Sequence, residues 1–133
     1  MVVDPNVLVS AAISNGVSRQ LVDLASTGVY QLIVCPQVLD ELHRVLQRDR
    51  FLKWRTRAQL DQFEADIGLL AKGEPDPTDV PVATRDPGDD YLVALALAAR
   101  AHFICTGDHD FDDVGKPEVI APGDLLRELL EAQ

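Results

Sequence analysis

Short apolar runs alternate with helix-like patterns along the whole sequence, and few architectures accept that order. "MVVD", "YQLIVC", "HFIC" and "EVIA" have strand length and are apolar almost throughout. Between them lie "NVLVSAAI", "SRQLVDLAST", "PQVLDELHRVLQR", "RAQLDQFEADIGLLAK" and "DYLVALALAARA", and "PGDLLRELLEA" follows the last. Strands separated by helices pair in parallel, because a parallel connection needs a crossover of about a dozen residues or more. The expected fold is therefore α/β: a three-layer α/β/α sandwich with a central, mainly parallel sheet. Ser18 is expected to open the second helix and Gly28 to close it, while Pro36 sits in the first turn of the third, where its missing N–H costs nothing. "DYLVALALAARA" is apolar nearly all round, as a helix buried on most sides requires. Residues 74–88 carry four prolines and read as a surface loop, with "VPVA" a brief strand inside it.

A chain of 133 residues suits one core, so residues 1–133 are read as a single domain. No segment has the length and charge paucity of a membrane span. "MVVDPNVLVSAAIS" has an acid at its fourth position where a secretory signal would carry basic residues, which makes the cytoplasm the default location. Cys35 and Cys105 each lie within an apolar run and are expected to be buried, reduced thiols without a chemical role. A formal net charge of −10 argues against a broad basic surface for nucleic acid. Yet six of the twelve Lys and Arg residues, Arg44, Arg48, Arg50, Lys53, Arg55 and Arg57, fall in one segment with Phe51 and Trp54 among them. That segment is either a solvated helix end and loop or a surface that tracks phosphates or docks a partner.

"FICTGDHDFDDV" runs from a buried strand into a turn with four aspartates, Asp108, Asp110, Asp112 and Asp113. In open parallel sheets ligands gather beyond the carboxyl ends of the strands where the strand order reverses. Asp4 follows the first strand and Asp108 follows "FICTG", so both are candidates for one rim. On the helix from Pro36, Glu41 lies at the edge of the buried face and Asp40 points toward water. Asp90 begins the buried helix, with Asp89 taking the more exposed position. Each acid has a plain structural alternative: helix cap, turn former, or, for Glu41, an ion pair with Arg44 or Arg48. Gathered in one crevice they would repel by roughly 1 kcal/mol or more per close pair, which a hard divalent cation relieves. A site of carboxylates alone favours Mg²⁺ or Mn²⁺ over zinc, and His43, His102 and His109 show no zinc-ligand spacing.

Taken in order, "VVDPNVLVSA", the acid of "VLDELHRVL", "RDPGDDYLVALALAA" and "FICTGDHDF" resemble the motifs of the PIN-domain nucleases, particularly the VapC-like toxins of toxin–antitoxin pairs. The resemblance covers nearly the whole chain. It implies an α/β/α sandwich whose acids bind Mg²⁺ or Mn²⁺ and hydrolyse RNA. Carried over by motif, Asp4, Glu41, Asp90 and Asp108 match the four catalytic acids, with Asp4, Asp90 and Asp108 on the principal metal. Asp110 matches an auxiliary acid, Asn6 a polar residue that steadies the first aspartate, and Thr106 the small hydroxyl residue before the last acids. An RNA substrate, a cognate antitoxin and a homodimer are implied as partners.

The sequence departs from the family at Pro5, where a Thr or Ser usually follows the first aspartate; proline supplies neither hydroxyl nor N–H. A PIN-like module that binds RNA or protein with little or no catalysis is therefore the alternative. Two phosphotransfer folds also place an aspartate after the first strand. A receiver domain would need an early acidic pair and a late lysine, and a haloacid-dehalogenase-like phosphatase a second aspartate where Asn6 stands.

Overall fold

In a computed structural model, which describes residues 1–132, five strands form one parallel sheet. The elements run β1 (Val2–Val3), α1 (Pro5–Ile13), α2 (Val17–Ser26), β2 (Ile33–Val34), α3 (Pro36–Leu46), α4 (Arg57–Leu70), β3 (Lys72–Gly73), α5 (Asp90–Ala98), β4 (Phe103–Cys105), β5 (Glu118–Ile120) and α6 (Pro122–Glu131). Single 3₁₀ turns occupy Asp49–Lys53, Pro87–Asp89 and His109–Phe111. The strand order is β3-β2-β1-β4-β5, with Val2 opposite both Ile33 and Ile104.

This order decides the layers. From β1 the chain steps outward through β2 to β3, with α1 to α4 in the connections, and then returns across the sheet to β4 through α5. Parallel crossovers are right-handed, so reversing the direction of travel puts α5 on the opposite face from α1–α4. There α5 packs on β1 and β4, while α6 returns to pack on α2. The core between the layers is mostly aliphatic, with Leu8, Leu42, Leu60, Ile67, Leu92 and Ile104 buried alongside Phe111. As the sequence suggests, α5 is buried from Tyr91 to Ala96; Leu97 emerges half exposed.

Three local expectations are corrected. "VPVA" is not a strand: Val82 is 89% exposed and has no sheet to bury it. The fifth strand is Lys72–Gly73, held by backbone alone, with the Lys72 N–H donating to Leu32 O at 2.8 Å and the Glu74 N–H to Val34 O at 2.8 Å. Ser18 does not cap α2, which starts at Val17 after Gly16, and is itself buried. Gly28 does end that helix, at φ 84°, a left-handed conformation glycine adopts without strain. Cys35 and Cys105 are buried free thiols, pushed up by burial to about 11 and about 12. Among the described residues no helix is long and apolar enough to cross a membrane.

Candidate metal centre

Strands β1 and β4 are neighbours whose connections leave toward opposite edges of the sheet, so a crevice opens beyond their carboxyl ends. Asp4 stands there, 3% exposed, as the N-cap of α1. Its Oδ1 accepts from the Asn6 N–H at 2.9 Å, and its Oδ2 accepts from the Thr106 hydroxyl at 2.7 Å. Both oxygens are thus oriented without help from position 5. Pro5 occupies the first helical position, where no hydrogen-bond partner awaits an N–H, so its missing N–H costs nothing there. Asn6 steadies Asp4 through its backbone, and its side chain is exposed. Burial pushes the Asp4 carboxyl above the ordinary carboxylate range; the two hydrogen bonds oppose this, and the charges of Glu41 and Asp108 add to it.

Thr106 also links Asp4 to the next acid. Its Oγ accepts from the Asp108 N–H at 3.0 Å, and Asp108 in turn caps the following turn by accepting from the Asp110 N–H at 2.9 Å. Thr106→Val keeps the volume but removes both contacts. It is expected to cost about 1–3 kcal/mol in thermal or urea unfolding and, by freeing Asp4 to rotate, to weaken Mn²⁺ affinity by about 10- to 100-fold in calorimetric titration.

The expected third acid, Asp90, has one carboxylate oxygen committed to the loop before α5. Asp90 is buried, and its Oδ1 accepts from the Thr84 N–H (2.8 Å), the Thr84 hydroxyl (2.8 Å) and the Ala83 N–H (3.2 Å), contacts that hold its carboxyl below the usual range. It fastens the loop before α5. The carboxyl coupled to the crevice is that of Asp89. Burial first, then the charges of Asp4, Asp86, Asp108 and Glu41, push it up to about 7. Neighbouring residues at a helix start point about 100° apart, so one of the pair can serve the loop and the other the crevice.

Asp86 was not among the expected site residues, yet Asp86, Asp89 and Asp110 present carboxylate oxygens within 4.8 Å of one another. "DPGD" carries the signal: Pro and Gly at the centre of a four-residue turn bring its first and last residues together, and the Asp89 N–H donates to Asp86 O at 2.9 Å. Asp110 is drawn in by Arg85, whose N–H donates to Asp110 O at 3.0 Å while its guanidinium pairs with Asp113.

Glu41 reaches the same region from α3, half buried, and its Oε2 accepts from the hydroxyl of buried Tyr91 at 2.7 Å. Glu41, Asp40, Arg44, Asp86 and Asp89 line an open groove of about 380 Å³. Asp4, Asn6, Ser10 and Asp108 line a second hollow of about 420 Å³. Asp40 is exposed, as its wheel position requires. Within the basic segment Arg44 borders the acidic groove, Arg57 donates to the carbonyls of Leu46 and Gln47 at the end of α3, and Arg55 donates to Trp54 O and Asn15 Oδ1. Arg48, Arg50 and Lys53 are exposed.

These residues fit a hard divalent cation. The donors are carboxylate oxygens, and among the described residues none of Asp4, Glu41, Asp86, Asp89, Asp108 or Asp110 forms a salt bridge with Lys, Arg or His. Unpaired acids whose charges raise the carboxyls of Asp4 and Asp89 are what Mg²⁺ or Mn²⁺ relieves, whereas zinc would favour His or Cys donors.

A comparison with curated proteins found no match. Against protein families, the model of the PIN domain matches residues 1–110, a stretch that runs from β1 into the turn after β4 and holds Asp4, Glu41, Asp86, Asp89, Asp90, Asp108 and Asp110. With that match over most of its length and a parallel sheet whose switch point gathers those acids, the chain belongs to the PIN domain family.

Proposed function

We propose that this protein is a ribonuclease that hydrolyses RNA phosphodiesters with Mg²⁺ or Mn²⁺, and that it acts in the cytoplasm as the toxin of a toxin–antitoxin pair. The PIN domain family is generally one of metal-dependent nucleases, which supports the reaction class. The observation that carries the reading is the cluster of Asp86, Asp89 and Asp110, whose carboxylate oxygens lie within 4.8 Å of one another with no cationic partner among the described residues. A bound divalent ion supplies water activation and neutralises charge as the phosphodiester is cleaved. Asp4, Asp89 and Asp108 are assigned to hold it, with Asp86 and Asp110 beside them. Thr106 and the Asn6 N–H keep both Asp4 oxygens fixed. Tyr91 holds Glu41 at the groove through Oε2, which leaves Oε1 to take a proton from an approaching water or orient it. Arg44 borders the groove and offers the substrate backbone a cation.

The toxin role rests on the resemblance to the VapC-like group, as do the cognate antitoxin and the homodimer. The deciding experiment is an RNA cleavage assay on purified protein with Mn²⁺, Mg²⁺ or chelator, beside Asp4→Asn. Cleavage is expected only with metal and only in the parent. Equal cleavage by Asp4→Asn would remove the site, while binding of RNA without cleavage would return the protein to the alternative of a binding module.

A further inference from the structure

We propose that the segment from Arg48 to Trp54 is a stacking platform for single-stranded RNA, one base lying on the Trp54 indole and neighbouring phosphates on Arg48, Arg50 and Lys53. This deepens the ribonuclease reading and rests on it for the identity of the nucleic acid. Trp54 is 48% exposed, an unusual position for so large an apolar surface. It is not loose. Its ring lies 6.3 Å from that of buried Phe51, the Lys53 ammonium sits 4.4 Å from its centroid, and the Arg50 guanidinium lies 4.8 Å over Phe51.

The segment's cations divide into two groups. Arg55 and Arg57 bond to Trp54 O, Asn15, Leu46 O and Gln47 O and hold the backbone in place. Arg48, Arg50 and Lys53 are exposed and form no salt bridge among the described residues, in a chain with 22 acids to its 12 bases. Exposed cations around a fixed, half-open indole combine the two elements that bind single strands, backbone charge and a stacking surface.

The platform is also connected to the acidic groove. Gln37, Glu41 and Arg44 fall on one stripe of α3 and all three line that groove. Continuing the stripe by one turn reaches Arg48, the residue after the Gln47 cap, from which the 3₁₀ turn leads to Trp54. A strand with a phosphodiester at the acids has a cationic track along α3 ending at the indole. A duplex cannot use it, because its bases are already stacked on one another.

The chain has one tryptophan, so its fluorescence reports this surface alone. The whole protein is titrated in chelator, where cleavage is blocked, with a short unstructured RNA and with a duplex of the same composition. Saturable quenching is expected with the single strand only. By anisotropy of a dye-labelled strand, Trp54→Ala is expected to bind about 5- to 100-fold more weakly, with Trp54→Phe recovering part of the loss. Replacing Arg50 and Lys53 together by Gln should reduce the salt slope of binding by about 1.4. Binding without quenching, an unchanged Trp54→Ala, or equal quenching by the duplex overturns the platform. Quenching in a protein that never cleaves with Mn²⁺ would instead remove the ribonuclease reading and leave the platform standing.

Discussion

Asp89→Asn is expected to lose metal-dependent RNA cleavage by more than about 100-fold, whereas Asp90→Ala is expected chiefly to destabilise the protein. The two residues adjoin but face different tasks. Asp89 feels four other acids across the crevice; Asp90 anchors the Ala83 and Thr84 backbone. Removing the Asp90 carboxylate leaves two N–H groups without their acceptor, at a cost of about 2–4 kcal/mol in urea unfolding. Metal binding then separates the roles. Mn²⁺ at about a hundred times its dissociation constant should stabilise the parent and Asp90→Ala alike by about 2.7 kcal/mol, and Asp89→Asn by much less. If Asp89→Asn retains both the cleavage rate and the metal-induced rise in melting temperature, the crevice is not the metal centre.

The second large effect is on stability against pH. A carboxyl whose folded pKa is about 7 against an ordinary 3.8 prefers its proton in the folded state. Below pH 4 both states carry that proton and the group contributes nothing. As pH rises from 4 to 7 the unfolded chain ionises first, so folding stability falls, and the whole penalty is present above pH 7. Asp4 acts with the same sign, its carboxyl also being raised. A shift of this size corresponds to about 4 kcal/mol, and on the order of 2 kcal/mol should survive screening by the water that enters the open groove. Metal-free protein is therefore expected to melt lower at pH 8 than at pH 5.5. Excess Mg²⁺ or Mn²⁺, or Asp89→Asn, should flatten that profile. Asp90 opposes the trend only at the acid end, because its lowered carboxyl gives stability that is lost as pH falls below the ordinary aspartate range. A parent protein whose chelated melting temperature is flat or rises between pH 5.5 and 8 would show that the acids do not repel one another as described.

Much of this arrangement was legible in the sequence because it depends on pattern. Strand runs between helical periods specify a parallel sheet, and a parallel sheet places Asp4 and Asp108 at strand ends beside a switch point. What pattern could not reach was set by backbone. Strand β3 is two exposed residues, Lys72 and Gly73, recruited by hydrogen bonds to Leu32 and Val34, so no apolar signature marks it. "VPVA" has the signature without a neighbour to pair with. Choosing between Asp89 and Asp90 required knowing that Thr84 captures one of them, a contact across an irregular loop with no periodicity. The value of Asn6 lies in an N–H that most residues could supply, which a motif reads as a side chain.

The bond from the Thr106 hydroxyl to Asp4 spans 102 positions of sequence. A nascent chain leaving the ribosome carries Asp4, Glu41 and Asp89 well before Thr106 and Asp108 have been made. Until β4 inserts beside β1, the first aspartate has neither its hydroxyl donor nor its partner acid, and the pairing of distant strands is among the slower events of folding. Chains cut short of β4 consequently lack the hydroxyl that fixes the second oxygen of Asp4, and the first aspartate takes its final orientation only when the sheet closes.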